Sequence, residues 1–261
     1  METMSRRLPR LTLVVLAVLT VLAAACAHAE PAPLAAPAPT VAPTPSPTPA
    51  PVSHQKDPKG TLTALSIQRN LDLWKRWAPE ARPTWTFDTR NPVGEALAML
   101  VTGERTDDAG IDWVRILLPI RPNEAAAWVH ASDVDLKPVR DKIVIDLSQR
   151  SLQHLHNSKL VDRFEVGIGQ PQWPTATGTF YIWAHVPQAS PTGPYGVFAL
   201  GLSGFSDVLT DWPGGGRMAI HGTPYASNKG QMVSHGCIRV FNPDMRKLRR
   251  VPLGTPVIIK Q

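Results

Sequence analysis

The chain has 261 residues, a formal net charge of +6 and 27 prolines, and 43% of its residues are hydrophobic. This length allows one large domain or two small ones. The positive charge is spread along the chain without a basic stripe interleaved with aromatic residues, so we expect no nucleic-acid partner.

Residues 1–26 have the pattern of an export signal. Arg6, Arg7 and Arg10 precede an apolar run over residues 11–25. A helix that crosses a bilayer needs about 20 apolar residues, so this run favours a signal peptide over a permanent anchor. We therefore expect an exported protein of the cell envelope, which meets the membrane only through this signal or through an attached lipid.

Two processing sites are compatible with the signal. Residues 22–26 resemble a lipoprotein box, in which Cys26 would be lipidated, whereas residues 27–29 (AHA) offer an ordinary cleavage site before Glu30. We favour lipidation. If Cys26 is lipidated or removed, the mature chain keeps only the thiol of Cys237 and cannot form an internal disulfide, because the sequence has two cysteines.

Residues 27–58 are the predicted linker. Proline stands at every second or fourth position from Pro31 to Pro51, and such a segment is extended and cannot pack a core. At about 3.1 Å per residue it would hold the folded part roughly 60 Å from a membrane attachment point.

Residues 59–138 predict a small domain of short strands, because apolar or alternating runs are separated by turn residues. The stretches 113–116 (WVRI) and 127–129 (AWV) resemble the paired strands of a bacterial SH3-like barrel. In this reading Val114 shares a buried face with Ile116, and Trp113 lies on the other face. The small β-barrel would be either a wall-binding module or a spacer. The predicted strands are 94–101, Asp112–Leu118 and Ala127–His130.

Residues 141–261 predict an all-β domain, because alternation of apolar residues is frequent and helical periodicity is nearly absent. One short helix is expected at Asn242–Leu248, with Asn242 as N-cap and Pro243 in the first helical position. A final hairpin should lead into the last strand. The predicted strands are Lys142–Leu147, Leu152–His156, Leu160–Ile168, Thr175–Ile182, Met218–Ile220 and Val257–Ile259.

Three residues point to chemistry. The strand Met218–Ile220 delivers His221 to its C-terminal end, and His235 and Cys237 follow after a short spacer. A cysteine near histidine favours a thiolate–imidazolium pair, and the thiolate is the nucleophilic form. Cys237 is therefore the candidate nucleophile.

Neighbouring residues suggest how a substrate would be held. Gly222 and Gly236 would let backbone approach a substrate closely, and amide groups around Cys237 would stabilise an oxyanion. Arg239 shares a strand face with Cys237 and would grip a carboxylate through its guanidinium group. Arg239 would otherwise pair with an acid such as Asp244.

The pattern of His221-Gly222-Thr223, a spacer and residues 234–239 (SHGCIR) resembles the L,D-transpeptidase catalytic domain of the YkuD-like family. The resemblance covers residues 142–261 and implies a β-sandwich catalytic domain with one short helix, preceded here by the SH3-like β-barrel. It also implies a reaction on peptidoglycan stem peptides that needs neither metal nor cofactor.

The resemblance implies a role for each matching residue. Cys237 would attack the third-residue carbonyl of a stem tetrapeptide and release D-Ala, and an amine of a neighbouring stem would then accept the acyl group. His221 would act as proton acceptor and donor, and His235 would be an auxiliary residue or an organiser of its loop. The expected substrate contacts are Arg239, Gly222, Ser234 and Gly236.

Three other functions are compatible with the sequence. Water as the acceptor would make the protein an L,D-carboxypeptidase, and loss of activity would leave a wall-binding lipoprotein. A zinc peptidase would use His221, His235 and Cys237 as ligands, but the sequence has no HExxH or HxxEH motif. The glycine- and proline-rich stretches 187–194 and 212–216 predict turns that would cover the site.

Overall fold

The computed structural model describes residues 60–77, 82–212 and 214–261. The predicted signal peptide, the predicted lipidation site at Cys26 and the whole predicted linker lie outside these residues. No helix within the described ranges is long and apolar enough to cross a membrane. The described residues all belong to one compact unit, His54–Gln261.

Residues 60–139, which we call the N-terminal β-unit, contain a five-stranded sheet in the order β6-β5-β4-β1-β7, and β2 pairs with β3. A 3₁₀ turn, Ala131–Asp133, precedes the last strand. The strands are β1 (Thr61–Ser66), β2 (Asn70–Leu73), β3 (Trp85–Asp88), β4 (Ala98–Thr106), β5 (Asp112–Leu117), β6 (Ala126–His130) and β7 (Val134–Val139). The resemblance to an SH3-like barrel, and the role of this unit in wall binding, stay predictions.

One expectation for the N-terminal β-unit is wrong in detail. The strand predicted to end at residue 101 continues to Thr106 as β4, because a bulge between Val101 and Gly103 keeps it paired with β5. Trp113 is fully buried. Its ring meets the rings of Trp74 and His130 edge-on, at centroid distances of 5.3 and 4.1 Å, so both faces of β5 are covered.

Residues 141–261 form an eight-stranded sheet in the order β10-β9-β8-β17-β12-β13-β14-β16, with β11 and β15 paired separately. Apolar side chains from both ends of this order share one hydrophobic core, so the sheet folds over itself as the predicted sandwich. The strands are β8 (Asp141–Asp146), β9 (Ser151–His156), β10 (Lys159–Glu165), β11 (Ile168–Gly169), β12 (Gly178–Pro187), β13 (Phe198–Phe205), β14 (Arg217–Thr223), β15 (Met232–Ser234), β16 (Ile238–Phe241) and β17 (Pro256–Lys260).

The all-β prediction with one short helix is confirmed, but the chain end differs. β17 is not one arm of a terminal hairpin, since it lies between β8, to which it is parallel, and β12. Val257 and Ile259 are buried, and a strand this apolar is typical of an interior position in a sheet.

The helix is shorter than expected. Helix α1 spans Asn242–Met245 and continues as a 3₁₀ turn, Arg246–Arg250. Asn242 does not cap it through its side chain. Instead its Oδ1 accepts a hydrogen bond from the Val197 amide at 3.1 Å, and its Nδ2 donates to the Pro191 carbonyl at 2.8 Å. This amide therefore holds the segment that precedes β13.

The N-terminal β-unit packs against β12 of the large sheet. Tyr181 is fully buried in the core of the N-terminal β-unit. Asn91 Nδ2 donates to the Trp183 carbonyl at 3.0 Å, and Glu95 Oε1 lies 3.0 Å from Nδ1 of His185. Hydrogen bonding by the His185 and Asn91 groups, which outweighs burial, lowers the pKa of Glu95.

Candidate active site

The parallel pairing of β14 with β16 brings the two central candidate residues together. His221 is aligned with Arg239 and Ile220 with Ile238, so Cys237, which directly precedes β16, comes beside Ala219. Both His221 and Cys237 line one cavity of about 450 Å³.

His221 is held as a neutral imidazole. Its Nδ1 donates to the Gly222 carbonyl at 2.8 Å. A carbonyl oxygen only accepts, so Nδ1 carries the proton and Nε2 keeps its lone pair. Burial of the ring lowers the pKa of His221 to about 4, and the positive charge of Arg239 adds to this. The ring is therefore available as a base at neutral pH.

Cys237 is held as a neutral thiol. Burial raises its pKa, although the Ala219 backbone and the charge of Arg239 both act to lower it. Both shifts act against the thiolate–imidazolium pair that the sequence pattern favours, because loss of solvent disfavours both charges. They favour a thiol beside a neutral imidazole.

The turn before Cys237 is organised by Ser234. This residue is only 1% exposed. Its Oγ accepts a hydrogen bond from the Gly236 amide at 3.1 Å and donates to the Cys237 carbonyl. Gly236 has a φ of 112°, which favours glycine. The Gly236 amide is thus engaged within the turn, and an oxyanion would need another donor.

Gly222 is a packing position. A Cβ placed there would lie 2.5 Å from Asn242 Oδ1 and 2.8 Å from the Val197 amide nitrogen. Neither Gly222 nor Gly236 contributes to the cavity wall, whereas Ser234 does. The substrate contacts expected of these residues stay predictions.

His235 lies between two tryptophan rings. Its ring centroid is 4.1 Å from that of Trp173 and 4.9 Å from that of Trp212. Trp212 is 44% exposed and lines the cavity, and the cover expected of this stretch stays a prediction. The auxiliary role of His235 in the reaction stays a prediction.

Arg239 lines the same cavity. Its Nη1 donates to Asn228 Oδ1 at 3.2 Å, and its buried Nε has no hydrogen-bond partner among the described residues. The alternative pairing with Asp244 is wrong, since Asp244 bonds to Lys229 Nζ at 3.1 Å. A donor without a partner suits the predicted contact with a carboxylate.

A zinc peptidase would need a set of metal ligands close together. Within residues 60–77, 82–212 and 214–261, no three His, Cys, Asp or Glu side chains are grouped so that they could hold a metal ion. His221 uses its Nδ1 on a backbone carbonyl.

Comparisons with known proteins show what residues 140–259 resemble. Residues 140–259 match the family model of the YkuD L,D-transpeptidase catalytic domain. The chain is 34% identical over 119 residues to YkuD of Bacillus licheniformis (45% of this chain, 64% of that protein), and 32% identical over 120 residues to YkuD of Bacillus subtilis strain 168 (46% and 65%). The chain thus covers less than two thirds of each relative.

Residues 140–259 are therefore similar in sequence to the YkuD L,D-transpeptidase catalytic domain. Among solved structures, an L,D-transpeptidase from Mycobacterium tuberculosis H37Rv aligns with 63% of this chain and 90% of its own, at 16% identity and a TM-score of 0.42.

The candidate site contains residues that the sequence did not single out. Tyr195 presents its ring at 75° to that of His221, 5.0 Å away. The Arg217 guanidinium lies 4.0 Å from the ring centroid of Trp183, and both residues line the cavity. In the sequence, Arg217 could have been recognised as a site residue only from its position at the start of the strand that carries His221.

Proposed function

We propose that this protein is an exported peptidoglycan L,D-transpeptidase with Cys237 as its nucleophile. The observation that carries the proposal is the pairing of β14 with β16, which brings a thiol and an imidazole with a free Nε2 lone pair to one cavity. Nucleophile and base in one concave, partly apolar site are the elements of acyl transfer.

The first half-reaction forms a thioester. His221 Nε2 takes the proton of the Cys237 thiol as the sulfur attacks the carbonyl carbon of the third residue of a stem tetrapeptide. The tetrahedral intermediate collapses, the peptide C–N bond breaks, and the imidazolium gives its proton to the leaving amine of D-Ala. A neutral thiol and a neutral imidazole in the free protein suit this order of steps, because the proton moves only when the substrate carbonyl is in place.

The second half-reaction transfers the acyl group. An amine of a neighbouring stem attacks the thioester while His221 accepts the amine proton and returns it to the departing sulfur, which restores the thiol. The product is a cross-link between two stems. Arg239, with its unpartnered Nε, would bind a carboxylate of the donor stem.

Water as the acceptor gives a second candidate, an L,D-carboxypeptidase. One observation favours keeping it: the cavity is lined on one side by residues of an exposed loop that includes Trp212, so water can reach the thioester. The ratio of cross-linked to trimmed product measures the partition between the two acceptors.

The test uses the purified chain and a disaccharide-tetrapeptide, with and without a chelator. We expect an acyl adduct on Cys237 by intact-mass and peptide analysis, release of D-Ala, and no effect of the chelator. A folded protein that forms no adduct and releases no D-Ala would contradict the proposal. Activity that disappears only with the chelator would instead support a metal-dependent peptidase.

We also propose that residues 1–26 export the chain and that Cys26 carries a lipid. Fractionation of cells that express the full chain, together with labelling by a fatty-acid analogue, tests this proposal. Label should be present in the wild type and absent from Cys26→Ala. An unlabelled wild type with a mature N-terminus at Glu30 would support the ordinary cleavage site.

A further inference from the structure

A short segment of the N-terminal β-unit contacts a loop that forms part of the cavity wall. Residues 119–124, here the 119–124 loop, follow β5 and contact residues 206–216, here the 206–216 loop, which connects β13 to β14. The two loops are far apart in sequence, so their contact joins the N-terminal β-unit to residues 140–259.

Arg121 binds the backbone of the 206–216 loop at three points. Its Nη2 donates to the carbonyls of Ser206 and Gly215, both at 2.9 Å, and of Leu209 at 3.2 Å. The guanidinium also lies 4.9 Å from the ring centroid of Phe205. The Arg121 side chain thus bonds to residues near both ends of the loop and to one residue between them.

Asn123 fixes the point where the loop leaves β13. Its Oδ1 accepts from the Phe205 amide and its Nδ2 donates to the Phe205 carbonyl, both at 2.8 Å. Nδ2 also donates to Asp207 Oδ1 at 3.1 Å. The Asn123 side-chain amide therefore both donates to and accepts from the backbone of Phe205, as a neighbouring strand would.

The 206–216 loop needs such support because of its own sequence. Gly214, Gly215 and Gly216 are consecutive, with φ values of 78°, 67° and 73°. Glycine loses the most conformational freedom on ordering, so this run has little intrinsic preference for one shape. A Cβ at Gly216 would lie 1.8 Å from the Leu209 carbonyl oxygen and 3.2 Å from Arg121 Nη2, so the loop closes tightly on itself and on Arg121.

The same loop forms one side of the active-site cavity. Leu209, Trp212, Gly214 and Gly216 all line it, and Trp212 stacks on His235 at 4.9 Å. A continuous series of contacts therefore runs from Arg121, through the loop backbone and Trp212, to the ring of His235, two positions before Cys237.

We propose that Arg121 and Asn123 of the N-terminal β-unit are positioning residues for substrate binding at the candidate active site, acting through the 206–216 loop and Trp212. The N-terminal β-unit is then a part of the binding site and not a spacer. The expected kinetic effects rest on the proposed function. The expected change in loop mobility does not, because hydrogen exchange in the loop can be measured without turnover.

The experiment compares Arg121→Ala, Arg121→Lys and Asn123→Ala with Arg115→Ala in the full chain. Arg115 is a matched control, since it lies in β5 and its side chain bonds to Thr102 Oγ1 within its own sheet at 3.0 Å. The readouts are amide hydrogen exchange over residues 206–216, thermal unfolding, and kcat and KM with a disaccharide-tetrapeptide.

For Arg121→Ala we expect exchange in the 206–216 loop to rise about tenfold, as the loss of charge-assisted hydrogen bonds implies. KM should rise by a similar factor while kcat changes by less than about threefold, because the groups that react are untouched. Arg121→Lys should recover part of the loss, Asn123→Ala should change the same quantities, and Arg115→Ala should match the wild type.

Unchanged exchange in the 206–216 loop of folded Arg121→Ala would overturn the proposal. So would exchange that rises equally in β8 and β9, since that pattern means general destabilisation. If Arg121→Ala does not fold, Arg121→Lys and Asn123→Ala decide by the same criteria. A wild type without turnover would contradict the proposed function and leave the exchange comparison in force.

Discussion

The two sides of the active-site cavity are held by different kinds of contact. On one side His221 and Arg239 are aligned across the backbone ladder of β14 and β16. On the other side Trp212 is carried by a glycine-rich loop that depends on side chains from the N-terminal β-unit. The groups that we propose to react thus lie on β14 or directly before β16, whereas the surface that we propose to meet the substrate includes a loop held by side chains of the N-terminal β-unit. Changes on the two sides should therefore have different kinetic signatures.

The largest effect is expected on the strand side. Cys237→Ala should abolish the acyl adduct and lower D-Ala release on the order of 10⁴-fold or more, because no other group at the site can replace the thiolate. Intact-mass analysis and a D-Ala assay check this. Met232→Ala, a control at an exposed residue of β15, should react as the wild type does, and a Cys237→Ala protein that still acquires the adduct would disprove the assignment.

The second-largest effect on activity is expected for His221→Gln. Removal of the general base is expected to lower kcat about 10²–10⁴-fold with little change in KM, because the base acts in the chemical steps. Steady-state kinetics of D-Ala release check this. His156→Gln is the control, since His156 is exposed at the end of β9, where its Nδ1 lies 3.3 Å from Asp141. Equal losses in the two variants would contradict the role of His221.

The buried neutral state of His221 also predicts a pH dependence of stability. The unfolded chain takes up this proton near the ordinary value of 6.5, whereas the folded protein does so only near the pKa of about 4. Folding stability should therefore fall as pH is lowered from about 6.5 to 4, by roughly 3 kcal/mol from this residue alone. Denaturant unfolding between pH 4 and 7 measures it. His221→Gln should show a flatter profile, and parallel profiles would contradict the burial argument.

The smallest effect is expected on the loop side. Trp212→Ala should raise KM about three- to tenfold and leave kcat nearly unchanged, because it removes an aromatic contact with His235 and part of the cavity wall. Kinetics with a disaccharide-tetrapeptide check this. Val208→Ala, which changes an exposed residue of the same loop, is the control. A large fall in kcat with constant KM would mean that Trp212 acts on the chemistry through His235.

The strand side could be predicted from sequence to a much greater degree than the loop side. The motif around Cys237 and the histidine at the end of a short strand are local patterns, and parallel pairing of β14 with β16 is what brings them together. The neutral resting pair was not predicted, because burial of His221 and Cys237 depends on the packing of residues from distant strands.

The loop side required the structure. The run of glycines at 214–216 predicted a turn, but no local pattern connects it with Arg121, which is 94 positions from Gly215. The same limit explains β17, whose apolar alternation predicted a strand but not its place between β8 and β12. Asn242 is a residue type that often caps helices, but its side-chain amide bonds to the backbone of Val197 instead.

For an exported protein, as we propose this one to be, the raised pKa of Cys237 has a consequence. Oxidants and alkylating agents attack thiolates far faster than thiols. A thiol whose pKa is raised by burial is therefore protected while the site is empty, and it becomes reactive only when His221 can pass its proton onward. We expect slow conversion of Cys237 to the sulfenic acid by hydrogen peroxide at neutral pH and a rate that rises with pH, as mass spectrometry would measure. The same burial that delays catalysis until a substrate arrives would let one unpaired cysteine persist in an oxidising envelope.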